Sequence, residues 1–206
     1  MARPLRVPGS MATHVFPIDT LSARAWRLDA LLLDRVRLRA WDRLLFIECG
    51  DGWLAEEASR RIGRGWVCGL SASNRLVDRA TRLRGVQGRL EFKTWDAERL
   101  PVHDSSVDRV IWCVSWRLAP DPELALREVA RVLEHDGDAY LIDPGVGSDG
   151  EPGAPFQDAA LATVFGNAGL ATVEQYHCDL PSSEWGDRPL PWIIHARLRT
   201  TEPIAH

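Results

Sequence analysis

The chain alternates short apolar runs with stretches whose apolar residues recur every three or four positions. This alternation predicts strands followed by amphipathic helices. The first helix is predicted over residues 21–40, from the spacing of Leu21, Ala25, Leu28, Leu32 and Val36. Strands are then predicted at Leu44–Glu48, Trp66–Leu70, Leu90–Thr94, Val107–Val114, Ala139–Ile142, Thr172–Cys178 and Ile193–Leu198. Helices are predicted between them at Leu54–Ile62, Ser73–Leu83, Glu123–Leu133 and Asp158–Asn167.

Strand and helix follow one another through short connections, which predicts an α/β fold. Right-handed crossovers leave a doubly wound, mostly parallel sheet with helices on both faces as the expected architecture. The length of 206 residues suits one domain with a sizeable core. Ligands of such sheets bind outside the carboxyl ends of the strands, so the residues after each strand are the candidates for function.

Composition narrows the function classes. Hydrophobic residues make up 45% and charged residues 26%, as in globular proteins, and no apolar run reaches the ~20 residues of a membrane span. The net charge of −4 shows no basic excess, so nucleic acid is not the expected partner. The cysteines are not spaced as metal-ligand pairs, no metal is predicted, and a reducing cytoplasm is the expected location. These cysteines are Cys49, Cys68, Cys113 and Cys178.

A glycine-containing turn follows the first predicted strand. Gly50 and Gly52 would let the backbone come close to a ligand. The helix after them would offer free N–H groups and the positive end of its dipole. This arrangement suits a carboxylate or a phosphate, although on these residues alone an ordinary strand-to-helix turn is an alternative.

Three tracts, in order, resemble a known family. Residues 44–55 (LLFIECGDGWLA) are similar to V-L-D-V-G-C-G-T-G-x-L-A, motif I of the class I S-adenosylmethionine-dependent methyltransferases. Residues 94–111 (TWDAERLPVHDSSVDRVI) are similar to the family's D-A-E-x-L-P-F-x-D-x-S-F-D-x-V. Residues 121–137 resemble D-P-x-x-A-L-x-E-x-x-R-V-L-x-P-G-G. The chain is identified as a member of the small-molecule, type 11 branch, which includes quinone-biosynthesis methyltransferases.

The resemblance implies a Rossmann-like, seven-stranded sheet with an antiparallel last strand beside the sixth. It implies one domain over residues 1–206, with a tail and lid helix at 1–40. A cofactor-binding core would follow at 41–145, and a helix and strand pair at 156–199. The implied cofactor is S-adenosylmethionine, bound at the ends of strands one to four.

The residues that the resemblance assigns to the cofactor follow those four strands. Asp96 and Ala97 match the family's motif and would contact the adenine edge. The full set is Glu48, Cys49, Gly50, Asp51, Gly52, Ser71, Ala72, Asp96, Ala97, Trp112 and Cys113.

Three positions depart from the family pattern. Phe46 stands at the acid of motif I, and Glu48 stands at its first glycine. A register shifted by two would make Glu48 the acid but would put Leu54 on the last glycine. Ser71 replaces the acid that grips both ribose hydroxyls, so Ser71→Asp is expected to tighten cofactor binding.

The acceptor is predicted from aromatic residues. Methyl transfer from a sulfonium mainly requires alignment, so no catalytic residue is assigned. Aromatic side chains favour a small, apolar or aromatic acceptor. Trp112 and Trp116 are alternatively core residues, and Cys113 is more typical of a packed residue than of a nucleophile. The residues predicted to line the acceptor site are Trp116, Arg117, Trp26 and Phe16.

Other functions stay open at this point. The three altered positions favour a methyltransferase-like protein that has lost cofactor affinity and acts as a binding or regulatory subunit. A nicotinamide-dependent dehydrogenase would need a third glycine in the turn, and residues 53–58 contain none. The sequence also leaves open whether the chain forms a homodimer or binds another protein.

Overall fold

The structure is a computed structural model that describes residues 32–96, 98–113, 116, 119–143, 158–177 and 192–199. Its helices are α1 (Trp53–Ile62), α2 (Asn74–Arg84), α3 (Pro122–Val132) and α4 (Asp158–Asn167). Its strands are β1 (Arg43–Ile47), β2 (Trp66–Ser71), β3 (Leu90–Thr94), β4 (Val107–Trp112), β5 (Leu133–Asp143), β6 (Leu170–His177) and β7 (Trp192–Leu198).

The seven strands form one sheet in the order β3-β2-β1-β4-β5-β7-β6. Strands β1 to β5 pair in parallel, and β7 lies antiparallel between β5 and β6. The predicted fold class is therefore confirmed. The antiparallel strand lies beside the sixth, as expected, and also joins it to β5.

Both faces of the sheet are buried, because successive strand residues point to opposite sides. Leu45 and Ile47 face a core that α3 and α4 cover. Leu44 and Phe46 face a second core, covered by α1, α2 and the helical residues 32–35. Burial on two faces explains the nearly unbroken apolar runs of the central strands. No helix among the described residues has the length and hydrophobicity needed to cross a membrane.

The predicted helix over residues 21–40 is wrong at its C-terminal end, since helical structure stops at residue 35. Val36 donates to the carbonyl of Leu32 at 2.9 Å, but Arg39 donates its N–H to the carboxylate of Asp42 at 2.8 Å. A side-chain acceptor of this kind competes with the helical hydrogen-bond ladder. Residues 1–31 lie outside the described part of the chain, and the division into segments 1–40, 41–145 and 156–199 stays a prediction.

Strand β5 starts earlier than the predicted Ala139. Its first pair joins Val107 to Leu133, and the next joins Arg109 to Asp138, so the ladder skips residues 134–137. The apolar run marks only the regular half of the strand, which explains the late predicted start.

A buried charged cluster links β4, β5 and β7. Asp138 accepts from His195 Nε2 at 2.8 Å and from Arg197, and it lies 3.3 Å from the guanidinium of Arg109. Arg109 also lies 3.9 Å from Asp42. Burial raises the pKa of Asp138, but the hydrogen bonds and neighbouring positive charges outweigh it and lower the pKa to about 2. The carboxylate therefore stabilises the fold in its charged form.

Candidate functional site

The carboxyl ends of β1, β2, β3 and β4 meet at one edge of the sheet. The strand order reverses between β1 and β4, the position where doubly wound sheets bind ligands. The candidate site consists of the loops that leave these four strands. Their order along the edge brings most of the sequence-predicted residues together.

The loop after β1 owes its shape to two glycines with positive φ. Gly50 has a φ of 59°, and a Cβ placed on it would meet no described atom within 4 Å. Gly52 has a φ of 82°, and its Cβ would lie 2.5 Å from the ring of Phe92. Gly50 therefore leaves backbone open to a ligand, whereas Gly52 is needed for packing against β3.

Arg84 fixes this loop from α2. Its Nε donates to the carbonyl oxygen of Asp51 at 3.0 Å, and Nη2 reaches the Asp51 carboxylate at 3.1 Å. The same guanidinium also donates to Glu56. The other Asp51 oxygen accepts the N–H of Trp53 at 3.2 Å. Asp51 is thus occupied in shaping the loop and the start of α1.

Glu48 connects the ends of three strands. Its backbone has a φ of 55°, a left-handed conformation that residues other than glycine rarely adopt. This agrees with the register that puts Glu48 at the first glycine of motif I. One carboxylate oxygen accepts from Trp95 Nε1 at 2.8 Å and from the N–H of Ala72 at 3.2 Å. The other lies 3.4 Å from the hydroxyl of Ser71.

Ser71 lies beneath this carboxylate. Only 1% of the residue is exposed. Its oxygen accepts the N–H of Ser73 at 3.2 Å while its hydroxyl faces Glu48. Both hydrogen-bonding directions of Ser71 are therefore used inside the protein. Ser73 caps α2 by accepting the N–H of Leu76.

Asp96 presents an exposed carboxylate after β3. One oxygen accepts the N–H groups of Glu98 and Arg99, both at 3.0 Å. These bonds lower the pKa of Asp96, so the group is charged at neutral pH. Because both bonds end on Oδ1, Oδ2 can accept from a ligand.

Trp112 closes β4 with an indole N–H that meets no acceptor among the described residues. The residue is 2% exposed, and its ring packs edge-on against Trp95 at 6.1 Å between centroids. Trp95 and Trp112 are both buried members of the core that α3 and α4 cover, in agreement with the core interpretation of Trp112.

The remaining predicted residues divide into packed and undescribed ones. Burial raises the pKa of the Cys49 thiol to about 12, so this thiol does not resemble an activated nucleophile; Cys113 is half-buried. Trp116 is 2% exposed and packs edge-on against Phe165 of α4 at 5.5 Å, in agreement with the core interpretation. The predictions on Ala97, Arg117, Trp26 and Phe16 lie outside the described residues.

Sequence reasoning missed two residues that shape the site. Trp95 lies inside the matched tract, but no family position pointed to its bond with Glu48. Arg84 reaches its loop across 33 positions of sequence, and no local pattern signals such a contact.

The fold and the glycine loop define a Rossmann-like architecture of the methyltransferase type. Residues 45–141 match the family described as methyltransferase domain. This match confirms the resemblance drawn from the three tracts.

Relatives with assigned names agree with this family. The chain is 31% identical to methyltransferase GfsG of Streptomyces halstedii, over 75% of this chain and 54% of the relative. It is 33% identical to the ubiquinone/menaquinone biosynthesis C-methyltransferase UbiE of Xylella fastidiosa strain M12, over 58% of this chain and 48% of the relative. The chain therefore spans about half the length of these curated relatives.

A solved structure shares the fold. It is a complex between the Haloferax volcanii Trm112 methyltransferase activator and a methyltransferase, with a TM-score of 0.71 at 22% identity. The match covers 87% of this chain and 92% of that chain.

Proposed function

We propose that this protein binds S-adenosylmethionine at the carboxyl ends of β1 to β4 and transfers its methyl group to a small acceptor. The observation that carries the proposal is the open backbone of Gly50, on the edge of the sheet that also carries the carboxylates of Glu48 and Asp96. When bound, the cofactor supplies a methyl group already activated on a sulfonium. The protein has to hold and align the two reactants.

The described residues fit such a cofactor. The start of α1 provides backbone N–H groups for a carboxylate, because its N-cap residue Gly52 has no side chain to occupy them, although Asp51 accepts the N–H of Trp53. Asp96 can accept from an adenine amino group through Oδ2. These features support cofactor binding by Gly50 and Asp96, and we propose no proton transfer for either residue.

The acceptor that we propose is small and apolar or aromatic. The support is a net charge that does not attract polyanions. The name of the UbiE relative places that protein in quinone biosynthesis. The cytoplasmic location and a lid formed by residues 1–40 stay predictions.

A second candidate is a methyltransferase-like subunit without catalysis. The observation that favours it is Ser71, which is buried where the family has its ribose acid. The Haloferax structure pairs a methyltransferase with an activator, so a protein partner is a concrete possibility for this chain as well.

Calorimetric titration separates the two candidates. We expect S-adenosylmethionine and S-adenosylhomocysteine to bind with measurable heat and to raise the melting temperature, as ligands of the native state must. The matched control is Gly88→Ala, a positive-φ glycine in the turn before β3, far from the site. It should change stability and leave binding unchanged. No heat and no thermal shift at millimolar ligand would refute the cofactor proposal and favour the second candidate.

A further inference from the structure

The carboxylate of Glu48 is placed and oriented as a ligand-binding group. It comes from the loop after β1 but lies at the ends of β2 and β3, because of its bonds to Ala72 and Trp95. A glutamate in the left-handed region is strained, and such strain concentrates at functional sites. The two donors hold the carboxylate in one orientation before any ligand arrives, which reduces the entropy lost on binding.

The carboxylate also keeps unused acceptor capacity. A carboxylate offers about four lone-pair sites. Among the described residues, Oε1 accepts from two N–H groups, whereas Oε2 has the 3.4 Å contact with Ser71 alone. Oε2 can therefore accept further hydroxyl groups from a ligand at the exposed side of Ala72.

Ser71 cannot take this role itself. It is buried, its oxygen accepts from Ser73, and its hydroxyl faces Glu48. The last residue of β2, Ser71, is not acidic. The carboxylate next to it comes from Glu48, in the loop after β1, and can accept hydrogen bonds from a vicinal diol.

We infer that Glu48 is the residue that binds the ribose hydroxyls of the nucleoside, in place of an acid after β2. This inference rests on the proposed function, since it assumes a nucleoside cofactor. It also reverses the sequence-based expectation for Ser71→Asp: a second carboxylate there would face that of Glu48, and like charges at this distance repel.

The test compares Glu48→Gln with wild type, using S-adenosylhomocysteine and its 2′-deoxy analogue in calorimetric titrations. Charge-assisted hydrogen bonds are worth about tenfold to hundredfold in affinity. We expect wild type to prefer the 2′-hydroxyl compound by ~10-fold, and Glu48→Gln to lose both affinity and preference. A purely structural Glu48 would change the melting temperature without changing the preference. Glu123→Gln, an exposed substitution on α3, is the matched control.

Moving the carboxylate from position 48 to position 71 by substitution completes the test. Ser71→Asp alone is expected to weaken binding. In the double variant Glu48→Gln with Ser71→Asp, the new amide can donate to the new carboxylate, and affinity for S-adenosylhomocysteine is expected to recover by about tenfold over Glu48→Gln alone.

The outcomes distinguish the two proposals. If wild type does not bind S-adenosylhomocysteine, the proposed function fails and takes this inference with it. If wild type binds it but Glu48→Gln binds equally with the same preference, only the assignment of Glu48 is overturned. Should Glu48→Gln fail to fold, equal affinity of wild type for both compounds overturns the assignment instead.

Discussion

Arg84, the last residue of α2, donates to the backbone carbonyl of Asp51 at 3.0 Å, so the conformation of the glycine loop is held by the following helix. The guanidinium is only 19% exposed and also pairs with Glu56. A loop with two positive-φ glycines has much conformational freedom to lose. The hydrogen bonds of Arg84 remove part of that freedom before a ligand binds.

Replacing Arg84 by Met is expected to destabilise the protein by about 1–3 kcal/mol, because the Asp51 carbonyl and the carboxylates of Asp51 and Glu56 lose the hydrogen bonds that Arg84 donates. Cofactor affinity should fall as well, since the loop becomes less ordered. Urea unfolding and calorimetry measure the two effects. Arg127→Met, which removes an exposed arginine of α3, should change stability by less than ~0.5 kcal/mol. Equal effects of the two substitutions would refute the conclusion that Arg84 holds the glycine loop.

The two glycines of the loop should respond differently to alanine. Gly52→Ala meets both a positive φ and the Phe92 ring, and we expect it to cost about 3 kcal/mol of stability. Gly50→Ala meets only the positive φ, at about 1 kcal/mol, but its methyl group enters the open side of the loop. S-adenosylhomocysteine binding should therefore suffer in Gly50→Ala out of proportion to stability. Unchanged affinity would show that no ligand approaches Gly50.

Substituting Trp116 tests whether this residue packs in the core or lines the acceptor site. Its burial against Phe165 predicts that Trp116→Ala lowers the free energy of unfolding by about 3–5 kcal/mol. Chemical denaturation measures this loss. Trp116→Phe, which keeps most of the apolar volume, should recover much of it. A nearly neutral Trp116→Ala would instead support the acceptor-lining role.

The acid sensitivity of the fold should depend on Asp138. Its pKa is lowered from 3.8 to about 2 in the folded chain, so its contribution is fully present above pH ~4 and is lost as the pH falls towards 2. The contribution amounts to roughly 2 kcal/mol.

Unfolding measured between pH 6 and pH 2 tests this dependence. Asp138→Asn should be less stable at pH 6, because Arg109 and Arg197 lose their counter-charge. The variant should also lose less stability on acidification than wild type. If the free energy of unfolding falls equally with pH in the two proteins, a group other than Asp138 causes the loss of stability in acid.

Periodicity was enough to locate nearly every strand and helix, because the sheet is buried on both faces and its strands are almost continuously apolar. It failed at residues 36–40, where the chain is not helical and the N–H of Arg39 bonds to the side chain of Asp42. It also shortened β5, whose first half is interrupted by residues 134–137. Such local events leave no periodic trace.

The edge of the sheet that carries the candidate site was predictable, because ligands of such sheets bind after the strands. Gly50, Gly52 and Asp96 follow from that rule and from the family motifs, and their role in binding stays a prediction. The partnership of Glu48 with Trp95 did not, because it depends on a backbone angle of 55° and on three loops meeting in space. Comparing the sequence with the family motif shows that the acid is missing at Ser71. It does not show that the carboxylate of Glu48, from the loop after β1, lies beside Ser71.

Strand β7 has a consequence for the order of assembly during synthesis. Both β5 and β6 pair with it, and they do not pair with each other. Residues 133–143 therefore have an open flank until residues 192–198 have left the ribosome, and β6 has no partner strand before then. The nucleus of β1 to β4 can form early, whereas the final third of the sheet must close in one late, long-range step. An unfinished chain would expose a ready template for strand pairing, which makes this flank the point where nascent molecules are most prone to associate with one another.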